Sequence, residues 1–213
     1  MGRRSLPKVD RTISIAEHYV ELDDLQTPWD PGEFFGFSGD LELEIGSGKG
    51  LYLLNASGQQ PERLFLGIEI AKKYAMFAAR RLAKHQRKNA RIIRGDAMRF
   101  VHEFVPDDSV SALHIYFPDP WWKERHRRRR VINPQMIGDI QRVLRTGGRF
   151  NFWTDVEEYF ETACATITEH SDLQGPQTVA EQPSTHDMDF RTHFERRMRL
   201  NEHPVFRSQF VRR

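Results

Sequence analysis

Short strand-like runs alternate with helix-like segments through the middle of this chain, and this alternation constrains the fold most strongly. The strand-like runs cover residues 41–45, 64–70, 90–94, 110–117 and 149–154. In the second connection Tyr74, Phe77, Ala78 and Leu82 recur at spacings of three and four, which is typical of a half-buried helix. Alternating strands and helices predict βαβ units with right-handed crossovers. We therefore expect an α/β fold with a doubly wound, mostly parallel sheet.

Two of the predicted helices have recognisable ends. Asn133 precedes Pro134 and is expected to cap a helix that closes at Gly147-Gly148. The last helix of the alternating region is expected to run from Asp155 to about residue 169. Asp155 and Glu158 are spaced as in a capping box, which gives Asp155 a structural interpretation.

The length of 213 residues favours one main domain. Residues 1–38 show no sustained periodicity and end in a stretch rich in Pro and Gly, so we expect an N-terminal arm or linker there and the domain over 39–213. The sequence does not place this arm. With 38% hydrophobic residues, 15 Phe and 4 Trp, the chain can build a core, which excludes disordered and low-complexity classes.

Charge and cysteine content add limits on location. The formal net charge is only +2, so a basic surface must be local and balanced by acidic residues elsewhere. The single cysteine, Cys164, cannot form an internal disulfide, which favours a cytoplasmic setting. No apolar run approaches the roughly 20 residues of a membrane span, so no membrane association is expected.

A glycine-rich loop follows the first predicted strand. It reads Glu44-Ile-Gly46-Ser-Gly48-Lys-Gly50, and it lies where parallel sheets bind their ligands. Glycines allow close backbone approach, and the following helix directs free N–H groups towards the loop, so a nucleotide-like ligand is indicated. A plain strand-to-helix turn is the alternative. The dinucleotide fingerprint is weakened because position 51 is Leu instead of Gly.

Acidic residues mark the ends of three successive strands: Glu44, Glu69 and Asp96. Glu69 is placed to accept hydrogen bonds from both hydroxyls of a ribose, although an exposed strand-end carboxylate would look the same. Asp96 is placed to accept from an adenine amino group, or to cap the next helix. Together the three favour an adenosine-containing ligand.

The most specific motif follows the fourth strand and reads F-P-D-P-W-W-K-E-R-H-R-R-R-R over residues 117–130. Two prolines hold the backbone around Asp119 beside Trp121 and Trp122, as in a rigid catalytic turn. The basic tail is dense enough to bind several phosphates, and the indoles can stack on a base. A solvated charged face is the alternative, and nucleic-acid binding is favoured.

The F-P-D-P-W-x-K-x-R-H-x-x-R-R stretch, the E-I-G-S-G-x-G loop and Thr192-His-Phe-Glu195 resemble the tRNA (guanine-N7-)-methyltransferases of the bacterial TrmB type. The resemblance covers residues 41–195. It implies a Rossmann-like methyltransferase fold and transfer of methyl from S-adenosyl-L-methionine to N7 of the variable-loop guanine of tRNA, giving 7-methylguanosine. Trp122 departs from the family pattern and bears on guanine entry.

The resemblance also implies roles for individual residues. The cofactor would be held by Glu44, Gly46, Gly48, Glu69, Asp96 and Asp119. Asp119 would also be the acidic residue at the reaction centre. The guanine nucleotide would be contacted by Lys123, Asp155, Thr192, His193, Phe194 and Glu195. The RNA backbone would be bound by Arg125, Arg127, Arg128, Arg129 and Arg130.

Several alternatives stay open. Thr192 and Glu195 also have the spacing of a capping box before a helix. A methyltransferase acting on exocyclic amines uses a similar acidic turn, and a non-enzymatic RNA-binding module would account for the basic tail alone. The 9 His show no close metal-ligand spacing, so no metal is expected, and no required protein partner is evident.

Overall fold

The computed structural model describes residues 6, 10, 12–181, 183 and 190–213. Its strands are β1 (Tyr19–Glu21), β2 (Leu41–Ile45), β3 (Leu64–Glu69), β4 (Ala90–Arg94), β5 (Val110–Tyr116), β6 (Leu144–Thr154), β7 (Gln174–Thr178) and β8 (Phe206–Val211). Its α-helices are α1 (Pro31–Phe35), α2 (Leu51–Gln59), α3 (Lys72–Lys84), α4 (Ala97–Glu103), α5 (Glu124–Arg127), α6 (Pro134–Val143), α7 (Glu157–Glu169) and α8 (His193–Leu200). None of the helices in these residues is long and apolar enough to cross a membrane.

The strands form one sheet in the order β1-β4-β3-β2-β5-β6-β8-β7. Every pairing from β1 through β6 is parallel, and β8 lies antiparallel between β6 and β7. The predicted doubly wound, mostly parallel sheet is confirmed. The chain order reverses direction between β2 and β5, which creates the switch point where such sheets bind ligands.

Helices cover both faces of the sheet, and every residue of β2 is buried as a result. On one face Phe100 of α4, Met136 of α6 and Tyr159 of α7 pack on the apolar side chains of the strands. On the other face Leu53 of α2 and Leu82 of α3 form a second core cluster. These two layers fix the strand ends, and therefore the loops that leave them.

Part of the N-terminal arm belongs to the sheet. Tyr19 of β1 lies opposite Ile92 of β4, and Trp29 is 5% exposed. This segment packs tightly against Gly95. A side chain would not fit there, because a Cβ at this position would lie 2.4 Å from Cβ of Leu22. These residues of the predicted arm thus pack against the domain, and the division of the chain at residue 38 stays a prediction. The remaining arm residues, 1–5, 7–9 and 11, lie outside the described residues.

The predicted helix end at Gly147-Gly148 is wrong. Helix α6 ends at Val143, and β6 begins directly at Leu144. Gly147 donates its N–H to the Arg212 carbonyl at 2.8 Å, so the glycines pair with the last strand instead of closing a helix. Gly147 has φ +75°, a conformation that glycine adopts without strain, and it lies in an irregular part of β6.

Candidate active site

Five predicted acidic residues lie at or just beyond the carboxyl ends of parallel strands. Glu44 is on β2, Glu69 ends β3, Asp96 follows β4, Asp119 follows β5 and Asp155 follows β6. Because parallel strands all end at the same edge, these residues share one edge of the sheet. Sequence spacing alone predicted this arrangement for the first four.

The glycine-rich loop turns sharply over the end of β3. Gly46, Gly48 and Gly50 have φ values of +75°, +53° and +66°, which disfavour side chains at these positions. Gly46 N–H donates to the Ile68 carbonyl at 2.8 Å, and Gly48 N–H donates to Glu69 Oε2 at 2.9 Å. The loop is therefore held against β3 by backbone and side-chain acceptors.

Glu69 fixes two backbone segments at once. Besides the bond from Gly48, its Oε1 accepts from Ala71 N–H at 2.8 Å, and the residue is 8% exposed. Each carboxylate oxygen has two lone pairs and accepts more than one hydrogen bond, which is the property that binding of ribose hydroxyls requires. The ribose role stays a prediction. The alternative of an exposed strand-end carboxylate is wrong because Glu69 is buried.

Glu44 has acceptor capacity that the protein does not use. The residue is 3% exposed, and its Oε2 has no hydrogen-bond partner within the described part of the chain. Burial raises the pKa of Glu44 well above its usual range, the Glu69 charge raises it further, and Arg191 opposes both. A buried carboxyl with an unused oxygen fits a cationic hydrogen-bond donor, which S-adenosylmethionine carries as its ammonium group.

Asp96 is the N-cap of α4. Its Oδ1 accepts from Met98 N–H at 2.9 Å, so the capping interpretation is confirmed. The residue is exposed, and no hydrogen bond to its second oxygen comes from the residues described. An adenine amino group can therefore bind there without displacing the cap, and that role stays a prediction.

The turn after β5 holds Asp119 between two strained residues. Phe117 has φ +51° and Trp121 has φ +46°, both in the left-handed region that non-glycine residues rarely adopt. Phe117 N–H donates to the Trp153 carbonyl at 2.8 Å, which ties the start of the turn to β6. Asp119 is exposed and accepts no hydrogen bond from the described residues. Its carboxylate is free to meet a substrate.

Arg130 holds the far side of this turn and differs from the other arginines of the tail. It is 7% exposed, its Nε donates to the Pro120 carbonyl at 2.8 Å, and its guanidinium lies 4.5 Å from the centre of the Tyr159 ring. Burial raises the pKa of Tyr159 to about 12, with Asp119 adding to the rise. Arg130 therefore positions the turn, and its burial distinguishes it from the exposed arginines of the tail.

The rest of the basic tail is exposed around the short helix α5. Lys123 precedes α5, and Arg125, Arg127, Arg128 and Arg129 all reach solvent. Arg127 pairs with Glu158 at 3.0 Å, and the Arg129 guanidinium lies 5.1 Å from the centre of the Trp121 ring. Trp122 is 63% exposed beside them.

Asp155 lies half-buried between β6 and α7. The capping box proposed for Asp155 and Glu158 is wrong, because α7 begins at Glu157 and its N-cap is Val156. Val156 N–H is instead satisfied by Thr154 Oγ1 at 3.2 Å. The described residues give Asp155 no hydrogen bond, so its substrate role stays a prediction.

Thr192 caps α8 as the capping interpretation predicts, but the Glu195 carboxylate bonds to Arg191 N–H instead of closing a capping box on Thr192 N–H. Thr192 Oγ1 accepts from Glu195 N–H at 2.9 Å, and Glu195 Oε2 accepts from Arg191 N–H at 2.7 Å. Glu195 is 3% exposed, and its Oε1 lies 3.3 Å from Arg207 Nη2 and 3.6 Å from Arg199 Nη1. Both carboxylate oxygens thus have partners within the protein. The predicted contact of Glu195 with guanine would have to use their remaining lone pairs, and it stays a prediction.

The same segment connects the turn and the glycine loop. The rings of Phe194 and Phe117 have centroids 4.8 Å apart. Arg81 Nη1 lies 3.0 Å from His193 Nε2 and donates to the Lys49 carbonyl at 2.9 Å. The structure thereby brings together three motifs that are far apart in the sequence.

Sequence reasoning missed the arginines that join these motifs. The sequence does not separate Arg81 from the other basic residues of α3, nor Arg130 from the other arginines of the basic tail. Arg207 was not considered. No signal in a single sequence distinguishes these side chains from other surface arginines, since their partners lie on distant elements.

Comparison with known proteins gives the family. Residues 39–208 match the family model described as "Putative methyltransferase". The tRNA (guanine-N(7)-)-methyltransferase of Rhodopirellula baltica is 42% identical, with 100% of this chain and 81% of the relative covered. That of Myxococcus xanthus is 37% identical, with 88% and 90% covered.

Solved structures support the fold. The 16S rRNA methyltransferase KamB matches with TM-score 0.58 and 18% identity over 90% of this chain and 92% of KamB. A SAM-dependent methyltransferase from Aquifex aeolicus matches with TM-score 0.57 and 13% identity over 86% of this chain and 90% of that chain. The Rossmann-like methyltransferase fold is shared with both. By its sequence relatives, the chain belongs to the tRNA (guanine-N7-)-methyltransferase family.

Proposed function

We propose that this chain transfers methyl from S-adenosyl-L-methionine to N7 of the variable-loop guanine of tRNA. The observation that carries the proposal is the position of Asp119. It is exposed and free of hydrogen bonds from the described residues, on a turn that Arg130 holds and Phe194 contacts. A free carboxylate on a fixed turn at the switch point suits a substrate that approaches from solvent.

The cofactor would lie along the ends of β2, β3 and β4. Glu44 would accept from the ammonium group, Glu69 from the ribose hydroxyls, and Asp96 from the adenine amino group. Gly46 and Gly48 would let the backbone approach closely, since neither has a side chain to obstruct it. When bound, S-adenosylmethionine supplies a methyl group bonded to a positively charged sulfur.

The reaction needs no general base. N7 of guanine has an in-plane lone pair and no proton, so the N7–methyl bond forms as the methyl–sulfur bond breaks, and positive charge passes to the purine. Asp119 would accept hydrogen bonds from the guanine edge and stabilise that charge electrostatically. Catalysis then consists of alignment and charge stabilisation.

The substrate would be held by the surrounding residues. Lys123 follows Asp119 closely in the chain, Asp155 follows the neighbouring strand β6, and the segment from Thr192 to Glu195 lies against the turn through Phe194. An exposed base can stack on an aromatic ring and hydrogen-bond at its edges, which these side chains can provide. The exposed tail arginines Arg125, Arg127, Arg128 and Arg129 would bind phosphates without reading bases.

Product analysis tests the proposal. Unmodified tRNA transcript is incubated with the enzyme and methyl-labelled cofactor, digested to nucleosides and compared with 7-methylguanosine by chromatography and mass. Label at an exocyclic amine would support the rival methyltransferase class. Calorimetric titration with S-adenosylmethionine separates an enzyme from an RNA-binding module, because the module would not bind it.

A tRNA substrate also implies where the protein works and with what. We infer a cytoplasmic location from that substrate, and tRNA is the partner that the site requires. The proposed reaction calls for no metal and no second protein.

A further inference from the structure

The outer face of α3 carries cations and no acids. Its 13 residues include five basic side chains and no Asp or Glu. Lys73, Arg80 and Lys84 are seven and four residues apart, which at about 3.6 residues per turn places them on one stripe. The helix buries Ala75, Ala78, Ala79 and Leu82 opposite this stripe, and it also buries Phe77, which lies beside the stripe between Lys73 and Arg80. Lys73 and Lys84 are exposed, whereas Arg80 is half-buried and its Nε has no hydrogen-bond partner among the described residues.

Two of the three stripe cations lack the acidic partner that cations elsewhere have, whereas Lys84 interacts electrostatically with Asp10. On other surfaces Arg99 pairs with Asp23 at 2.6 Å, and Arg142 pairs with Asp107 at 2.7 Å. Lys73 and Arg80, by contrast, make no ion pair with the residues that the structure describes. Nearby Lys72 is different, since it pairs with Glu21 at 3.3 Å. Unpaired cations in a row attract an anionic partner.

The end of α3 shows the same positive field. Burial lowers the pKa of His85, and the charges of Arg87, Arg81 and Lys84 lower it further. Three cations thus act on one exposed imidazole. A polyanion on this surface would relieve their mutual repulsion.

The helix that carries the stripe contacts the proposed substrate site through a neighbouring residue, Arg81. The start of α8 contacts α3 through His193 and Arg81, at 3.0 Å, and contacts the Asp119 turn through Phe194 and Phe117. The start of α8 therefore lies between two basic surfaces, the α3 stripe and the exposed tail arginines. An RNA whose guanine reaches this point has backbone on both sides of it.

We propose that the α3 stripe of Lys73, Arg80 and Lys84 is a second contact surface for the sugar–phosphate backbone of the tRNA. The inference rests on the proposed function and adds to it a docking surface outside the catalytic turn. The stripe is about 16 Å long at 1.5 Å per residue, which suffices to face several phosphates. Its charges orient the RNA and take no part in methyl transfer.

A charge-matched pair of variants tests this surface. The test variant is Lys73→Gln with Arg80→Gln, and the control is Arg99→Gln with Arg145→Gln, which removes two charges at positions that have acidic partners. Binding of unmodified tRNA transcript is measured at several salt concentrations. The slope of log affinity against log salt should flatten by about 1.5 in the test variant, because each phosphate contact contributes roughly 0.7 to 0.9. The control should keep the wild-type slope.

Parallel measurements separate this proposal from the function itself. Methyl transfer by the test variant at saturating tRNA and its affinity for S-adenosylhomocysteine should both match wild type. An unchanged slope, or equal flattening in the control, overturns the docking surface while wild-type formation of 7-methylguanosine leaves the function intact. An unchanged slope would instead indicate an acidic protein as the partner of the stripe. Wild type that binds tRNA without methylating it instead overturns the proposed function.

Discussion

Arg81 Nη1 lies 3.0 Å from His193 Nε2 and donates to the Lys49 carbonyl at 2.9 Å. One guanidinium nitrogen therefore touches both the glycine loop and the first residue of α8. Burial lowers the pKa of Arg81, so the group is partly withdrawn from water. Arg81 therefore links the loop proposed to bind the cofactor directly to the segment proposed to contact guanine.

We expect this contact to couple the two ligands. In the wild type, saturating S-adenosylhomocysteine should tighten tRNA binding by about fivefold or more, a common size for coupling between sites. Arg81→Lys keeps the charge but loses the fixed fork of donors, so the factor should approach one. Dissociation constants for tRNA with and without S-adenosylhomocysteine measure it. Arg80→Lys is the control, and equal factors in the two variants would rule out the link.

Asp119→Asn should lower the turnover number on the order of 100-fold, as expected when one preorganised electrostatic contact is lost. Although the resemblance also implies a cofactor contact for Asp119, binding of S-adenosylhomocysteine should weaken far less than turnover, because the glycine loop is held by Glu69 and the β3 backbone. Single-turnover kinetics and calorimetry on one preparation check both. Turnover close to wild type at saturating substrates would remove Asp119 from the reaction centre.

The local motifs were predictable because each is a short run with its own physical logic. Neighbouring residues in the sequence suffice to identify the glycine loop, the acids at the strand ends and the Pro-flanked Asp119. Arg130 was not distinguishable within its tail, since burial against Tyr159 depends on how α7 packs. Strands β1 and β8 were missed for the same reason. Their pairing with β4 and β6 joins distant parts of the chain.

Glu195→Gln should lower both the stability of the protein and its activity. Its carboxylate accepts from Arg191 N–H and pairs with Arg207, whose side chain is 7% exposed. Weakening a buried ion pair while keeping the shape should cost about 1–2 kcal/mol and lower the melting temperature by roughly 2–8 °C for a chain of this size.

Thr192→Ala provides the comparison, because it removes the cap and leaves the ion pairs in place. Melting curves and Michaelis constants for tRNA are measured for both variants. If Glu195 also contacts guanine, its variant should show a raised Michaelis constant at a temperature where both proteins are fully folded. Equal constants in the two variants would limit Glu195 to its structural role.

A buried pair in the sheet predicts acid sensitivity. Burial opposes ionisation of Glu42, yet hydrogen bonds from His114 and Tyr52 and the Arg63 charge hold its pKa below the usual range. Burial lowers the pKa of His114. Both groups bind protons more readily in the unfolded chain, so their contribution to the free energy of unfolding is fully present at neutral pH. It should fall below about pH 6.5 through His114 and below about pH 4.3 through Glu42.

Glu42→Gln tests the lower part of this range. The variant should melt below wild type at pH 7, because Arg63 loses a partner at 2.9 Å. Its melting temperature should also fall less steeply than that of wild type below about pH 4.3, since the titrating carboxyl is gone. Glu62→Gln, at an exposed position, is the control. Parallel curves for Glu42→Gln and wild type below that pH would contradict the assignment.

The arginine tail is proposed to have two functions, phosphate binding by its exposed arginines and positioning of the Asp119 turn by the buried Arg130. The salt dependence of tRNA binding separates them. Arg125→Gln with Arg128→Gln removes two exposed charges and should flatten the salt slope of tRNA binding by about 1.5, with turnover at saturating tRNA preserved. Arg130→Gln should leave that slope unchanged, because the guanidinium is bonded to the Pro120 carbonyl and covered by Tyr159. Its turnover should fall, since the strained turn around Asp119 loses the donor that holds it. Binding isotherms at several salt concentrations and single-turnover rates on the same preparations give both quantities. A flattened slope for Arg130→Gln with normal turnover would return this arginine to the phosphate-binding surface.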